Sequence, residues 1–237
     1  MKKFLIFFVF LCFICFAEKE TYVIKRVKGE IKIDGVIDEK EWKGATVIKN
    51  FYRSGDLNKK VNSKTTVYLL YDNEYLYIAG KMEDKDIYAD VEENDSSVWD
   101  NDVFEVFIKP KFCSPHYYEI NANPLGTLFD AFFPRRKAGF SRFVKYSSGT
   151  KIATKVYGTL NNWTDVDNGW CIEEAIPFSA FSQTTPPPKK GDIWYFSICR
   201  YDYSVYLEIG VENTSSAKLH RRDYHLYEDY DRLLFSD

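Results

Sequence analysis

Residues 103–109 read Val-Phe-Glu-Val-Phe-Ile-Lys, and Pro110 follows. Proline has no amide hydrogen to give a sheet ladder, so the run reads as a strand with a defined end. Side chains alternate across a strand, which puts Phe104, Val106 and Ile108 on one face and Val103, Glu105 and Phe107 on the other. Trp99, in the acidic loop tip just before it, shares the parity of the second face. Few folds accept such a strand. Both faces are apolar and both need cover, yet one carries a carboxylate, which is costly to bury without partners. The first face reads as core. The second predicts a partly covered groove in which a small polar ligand is held.

The remainder supplies partners for that strand. Residues 65–71 and 75–81 flank Asp72-Asn73-Glu74 as a hairpin, with Val67, Leu69 and Tyr71 alternating before the turn and Tyr75, Tyr77 and Ala79 after it. Residues 117–123 and 127–133 surround the turn Asn123-Pro124-Leu125-Gly126. A further hairpin pairs residues 152–160 with 169–176 and carries Trp163 at its polar tip. Residues 21–27, 192–202 and 230–235 read as additional strands, and the proline-rich stretch 184–191 as a stiff loop rather than a domain linker. Asp38 reads as a helix N-cap, with Glu41 completing a capping box, for a single turn that tucks Trp42 against the body. A second short turn is expected over 178–181. No helical pattern is long enough to form a layer. With 18% aromatic residues and eight or more short strands, the class is all-β: an antiparallel β-sandwich, jelly-roll or Ig-like, with at most short helical turns.

Residues 1–17 have a short basic start, an apolar core and Ala17 before Glu18, the pattern of a secretory signal cleaved after Ala17. Residues 18–237 then form a single domain, exported to the periplasm, cell surface or medium. Cys15 lacks the small residues before it that lipidation wants. Loss of Lys2 and Lys3 takes the net charge from −3 to −5. A mildly acidic chain with no basic stripe argues against nucleic acid, and no segment after the signal is apolar enough to insert into a membrane. Three cysteines remain, an odd number; Cys171 and Cys199 sit in strand-like runs and read as buried hydrophobes rather than a disulfide.

Two stretches stay open. Residues 83–102 carry Glu83, Asp84, Asp86, Asp90, Glu92, Glu93, Asp95, Asp100 and Asp102 without EF-hand spacing, so a solvated surface is the default reading and a calcium site the alternative. On residues 117–123, Tyr117, Glu119, Asn121 and Asn123 share one face. That face is either an outer solvated one or a wall able to bond the hydroxyls of a sugar.

Several of these segments, in this order, resemble family-9 carbohydrate-binding modules and their stand-alone relatives. They are residues 33–42 (Ile-Asp-Gly-Val-Ile-Asp-Glu-Lys-Glu-Trp), the hairpin over 67–79, and 98–108 (Val-Trp-Asp-Asn-Asp-Val-Phe-Glu-Val-Phe-Ile). The series continues with 118–126 (Tyr-Glu-Ile-Asn-Ala-Asn-Pro-Leu-Gly), 170–177, 191–194 with Arg200, and 230–235. The resemblance implies a non-catalytic β-sandwich that binds a poly- or oligosaccharide without a cofactor. It implies Trp99 as one wall of a slot, Glu105 as the carboxylate behind it, Glu119 and Asn121 as a polar pair on the next strand, and Arg200 as a further contact. It departs at the second wall. The family takes a second tryptophan from a loop near the C-terminus, and residues 210–217 contain none. Either Tyr201, Tyr203 or Trp163 closes the slot, or it is open on one side.

A sugar site with these groups is chemically sufficient: the C–H face of a pyranose packs on an aromatic plane, while carboxylates, amides and guanidinium bond its hydroxyls. Three rivals remain. Glu105 and Glu119 are a conceivable hydrolase pair, whereas Asp102 and Glu105, three apart, face opposite ways. A haem-binding sandwich would draw on Met82, His116, His220 or His225, of which His220 and His225 are expected to face solvent. A structural cell-surface domain is the third.

Overall fold

A computed structural model describes residues 19–138 and 146–237; the signal reading for residues 1–17 lies outside the described residues. Strand β6 (Val103–Lys109) is buried along its whole length and stops at Pro110, as its sequence requires. Its neighbours are β7 (Tyr117–Ala122), in the register Glu105 to Asn121 and Phe107 to Glu119, and β11 (Ile193–Tyr203), in the register Glu105 to Cys199 and Val103 to Tyr201. β8 (Leu128–Phe133) completes this half. The facing half is built from β4 (Thr65–Tyr71), β5 (Tyr75–Met82), β9 (Lys151–Tyr157) and β10 (Gly169–Pro177). Val67, Leu69, Ile78 and Ile172 from that half meet Phe104, Val106, Ile120 and Ile198 in the main core. This is sheet-on-sheet packing, the expected sandwich.

The two halves are one continuous sheet. It runs β8-β7-β6-β11-β13-β1-β4-β5-β10-β9, and the seam is made by β1 (Thr21–Arg26) and β13 (Asp231–Ser236). The pairs are antiparallel except at β1, which runs parallel to both β13 and β4. No hairpin joins β1 to either neighbour, so no turn imposes the antiparallel direction.

Three strands went unread in the sequence: β2 (Thr46–Ile48), β3 (Tyr52–Arg53) and β12 (Val211–Ser215). The last falls in the stretch expected to be a loop. Its residues Val-Glu-Asn-Thr-Ser look polar, yet it pairs with β11, and Glu212 is buried because Arg53, the amides of Asn62 and Ser63, and the Asn62 side chain all donate to it.

The capping box at residues 38–41 does not form. The turn is 3-10, Lys40–Gly44, its N-cap position is Glu39, and no side chain caps it. Glu173 of β10 organises this segment instead. Its carboxylate accepts the amides of Asp34 and Gly35 at 3.0 and 2.9 Å and the Trp42 indole N–H at 2.9 Å. Trp42 is buried, as expected. Gly35 has φ +83°, and a Cβ there would meet the Thr154 backbone carbon at 2.6 Å, so the turn needs glycine. Cys171 and Cys199 are buried free thiols, and Cys113 is an exposed one.

The second face of β6 is covered by chain, not by a third sheet. Ala217, Leu219, Tyr224, Leu226 and Tyr230, from the connection between β12 and β13, pack on Val103, Phe107, Tyr117, Phe129 and Phe133. Among the described residues that cover leaves a gap, and the gap is the candidate site.

Candidate functional site

Where the cover parts from the sheet, a pocket of ≈ 360 Å³ opens. Glu105, Phe107 and Glu119 form its floor, Trp99 one side, and Tyr201, Arg222, Asp223, Tyr224 and His225 the other, with Lys137 at the rim. Trp99 stands on the 3-10 turn Val98–Asp100, its ring edge-on to Phe129 at 5.1 Å. The backbone carbonyl of Trp99 accepts the Tyr203 hydroxyl at 3.0 Å, which ties this turn to the end of β11. Residues of equal parity on β6, β7 and β11 are thus delivered to one side of the sheet by the pleat alone.

The two carboxylates of the floor are unusual for their burial. Glu105 is 2% and Glu119 4% exposed. Asn121 lies behind them and donates from Nδ2 to Glu119 Oε1 at 2.8 Å, while Glu119 Oε2 and Asn121 Oδ1 have no partner among the described residues. Burial, and next the neighbouring Glu119, raise the Glu105 carboxyl well above its ordinary range. Burial raises Glu119 to about 7, opposed by the bond from Asn121. A pair of acceptors held dry beneath aromatic rings, one with an unused lone pair, is a preformed seat for hydroxyl donors.

Trp99, Glu105, Glu119 and Asn121 are therefore brought together, Asn121 as the support of Glu119 rather than as lining. Arg200 is not. It precedes Tyr201 on β11 and so faces the opposite way, level with Phe104. Its guanidinium is 1% exposed and donates to Asp84 at 2.9 Å and Asp202 at 3.2 Å. Asp102 completes that group, with oxygens of the three aspartates lying within 4.8 Å of one another. Asp102 accepts the amides of Tyr88 and Tyr203, both at 2.7 Å. Burial raises Asp84 to about 7 even though Arg200 pulls it down.

The acidic stretch 83–102 is accordingly only partly solvated. Glu92, Glu93 and Asp95 are exposed, whereas Asp84, Asp86 and Asp102 are buried acceptors. The cation that faces Asp84 and Asp202 is Arg200's own. Glu105 and Asp102 do lie on opposite sides of the sheet, as their spacing requires.

The second wall comes from two sources. Tyr201 enters from the sheet, its ring 5.2 Å from Tyr224. Arg222 enters from the covering segment, bonded through its guanidinium to Asn213. Trp163 is elsewhere, in a separate depression. His225 does not face solvent as expected. Its ring lies 5.4 Å from Phe107, and Nδ1 meets the Tyr117 hydroxyl at 2.8 Å. Burial holds it neutral, its pKa lowered to about 4, with Asp223 pulling the other way. His220, 53% exposed, pairs with Asp229. Arg222, Asp223, His225 and Lys137 were not legible as site residues, because loop residues reach the groove only through long-range packing. Arg200 carried a usable signal: neighbours on a strand cannot both face one groove, so a site holding Tyr201 excludes it.

A sandwich with a preformed pocket on an outer sheet face, lined by rings above buried hydroxyl acceptors, belongs to the class of small-ligand binding domains. Comparison of sequences resolves the class further: residues 33–204 match the family described as Carbohydrate family 9 binding domain-like, and the chain belongs to that family. Its domains are non-catalytic carbohydrate-binding modules. Among solved structures, a candidate carbohydrate-binding protein from Bacteroides uniformis is similar at 16% identity and TM-score 0.72, over 92% of this chain and 100% of that one. A carbohydrate binding module of family 9 from Caldicellulosiruptor kristjanssonii, in complex with cellotriose, is similar at 13% identity and TM-score 0.60, over 92% and 94%. The same description in complex with glucose gives 13% and 0.57, over 90% and 95%. These likenesses establish the fold. No curated protein sequence matches the chain.

Proposed function

We propose that this chain is an exported, non-catalytic carbohydrate-binding protein that serves polysaccharide recognition or breakdown, and that a sugar sits in the pocket between Trp99 and the Tyr201–Arg222 side. The pyranose ring packs on the Trp99 indole. Its hydroxyls donate to Glu105 and Glu119, with Asn121 fixing the rotamer of Glu119. The observation that carries this reading is the pair of buried carboxylates, Glu105 and Glu119, set beneath the rings of a formed pocket, where their oxygens can accept from sugar hydroxyls. Neighbours of the same fold are complexes with cellotriose and with glucose, which makes β-linked glucans the first probes.

Arg200 takes the role of a buried ion-pair partner rather than a sugar contact. Export rests on residues 1–17, and intact-mass measurement of protein from the native host tests it: maturation after Ala17 is expected, and retention of Met1 overturns it. Among the described residues no helix is long and apolar enough to cross a membrane.

The deciding experiment is titration calorimetry of wild type and Trp99→Ala against glucose, cellotriose and fragments of xylan, mannan and galactan. Loss of one stacking ring costs on the order of 1–3 kcal/mol by analogy with base stacking on aromatic platforms. Binding in the micromolar to millimolar range then falls below detection in Trp99→Ala, with the circular dichroism spectrum retained. Equal binding by both proteins removes Trp99 from the site. No binding by wild type to any probe removes the function.

A further inference from the structure

A second depression, of ≈ 390 Å³, lies beyond Tyr203. Its rings are Trp163, Tyr88 and Tyr203, with Asp86 and Asn161 among its polar groups. Trp163 is 65% exposed, and Val166, Val205 and Ile209, all more than half exposed, belong to the same loops. One large indole this open needs no explanation by itself. An open indole and Val205 lining a formed depression together with two tyrosine rings do.

The depression is held rigid by three loops tied to one another. Asn161 donates to the Ala89 carbonyl at 2.8 Å and accepts the Ala89 amide at 2.9 Å. Asp86 accepts the Val205 amide at 2.9 Å, and the Tyr206 hydroxyl reaches the Asp165 carbonyl at 2.9 Å. These bonds fix the loop that bears Trp163 against the end of β11. The cavity therefore exists before any ligand arrives, the condition under which weak contacts add to affinity rather than being spent on ordering.

It neighbours the first pocket, although the two share no lining residue. Tyr201 lines one and Tyr203 the other; their rings are 6.2 Å apart and only 20° from parallel. The Tyr203 hydroxyl, bonded to the Trp99 carbonyl, locks this step between the two. The composition differs in a telling way: with Asn161 bonded to Ala89 and Asp86 to Val205, what faces the second depression is mainly rings and Val205, a surface that suits the C–H face of a sugar ring.

We infer that Trp163, with Tyr203 and Tyr88, forms a second subsite for a further sugar ring of the same glycan chain whose first ring occupies the Trp99 pocket. This rests on the function proposed above and adds to it where a second ring is held, so that affinity grows with the length of the glycan. A single ring fills one subsite; a longer chain spans both, and the second contact acts at high effective concentration.

The test is calorimetry of wild type and Trp163→Ala with the matched pairs glucose and cellotriose, xylose and xylotriose, mannose and mannotriose. Wild type is expected to bind the trisaccharide of one pair roughly 5- to 150-fold more tightly than its monosaccharide, the range one aromatic stacking contact supplies. In Trp163→Ala that gain disappears, while monosaccharide affinity and melting temperature stay put. Equal affinity of wild type for both members of a pair, or a trisaccharide gain that survives Trp163→Ala, overturns the second subsite and leaves the first standing. So does light scattering that shows wild type associating through this patch and Trp163→Ala monomeric, with chain-length dependence unchanged. If wild type binds none of the six sugars, the first pocket's reading fails and the second falls with it.

Discussion

Glu105 and Glu119 set the behaviour of the site because each would rather be neutral where it stands. A carboxyl whose pKa is raised on folding holds a proton that the unfolded chain releases above its ordinary value near 4.5. The stability it contributes is therefore present in acid and falls as pH rises through about 7, the value of Glu119. Sugar hydroxyls favour the charged form, so affinity runs the other way and strengthens over the same interval. Two consequences are measurable on one sample. From pH 5.5 to 8 the melting temperature of the free protein should fall and its affinity for a bound sugar should rise. Glu119→Gln should flatten the affinity profile, reduce the melting-temperature slope to the share that Asp84 and Asp231, both also raised to about 7, still contribute, keep the melting temperature higher above pH 7, and lose about 1.5–3 kcal/mol of binding, the worth of a hydrogen bond to a charged group. Profiles unchanged by the substitution would show that Glu119 neither titrates nor contacts ligand.

At the scale of elements, the segment from residue 31 to the Lys40–Gly44 turn is fastened to β10 through Glu173, and Trp42 is the fastening that can be removed. Trp42→Ala leaves a cavity among Ile31, Leu70, Tyr77 and Ala175 and takes one donor from a carboxylate that is 0% exposed. We expect a loss of roughly 3–5 kcal/mol in urea unfolding with an unchanged slope and unchanged sugar affinity, since this cluster lies away from the pocket. Elements were legible in the sequence in proportion to how their burial was achieved. β6, β7 and the β4–β5 hairpin bury apolar side chains, so alternation and turn residues mark them. β12 buries Glu212 and Asn213 by pairing them with Arg53 and Arg222, partners distant in sequence, and reads as loop. The expected cap at Asp38 does not form because the turn is 3-10 and begins after Glu39, whose backbone carbonyl accepts the Trp42 amide. The floor of the site was legible through parity on β6 and β7, and its far wall was not, because nothing near residue 222 announces what it will pack against.

For the whole molecule, the seam matters most. β1 and β13 are the strands through which the two halves of the sheet join, so neither half has a closed core when they part. Calorimetry should show one transition with equal calorimetric and van't Hoff enthalpies; two separated transitions would contradict this. The same arrangement sorts the five tryptophans. Trp42, Trp170 and Trp194 are buried in cores, 4%, 1% and 3% exposed, while Trp99 and Trp163 stand at the mouths of the two depressions. The molecule thereby carries its own optical reporters. Aqueous iodide can quench the emission of Trp99 and Trp163 and is shut out from the other three, so the quenchable light comes from the two places where a glycan would lie, and the variants that lack one or the other separate the signals without any label.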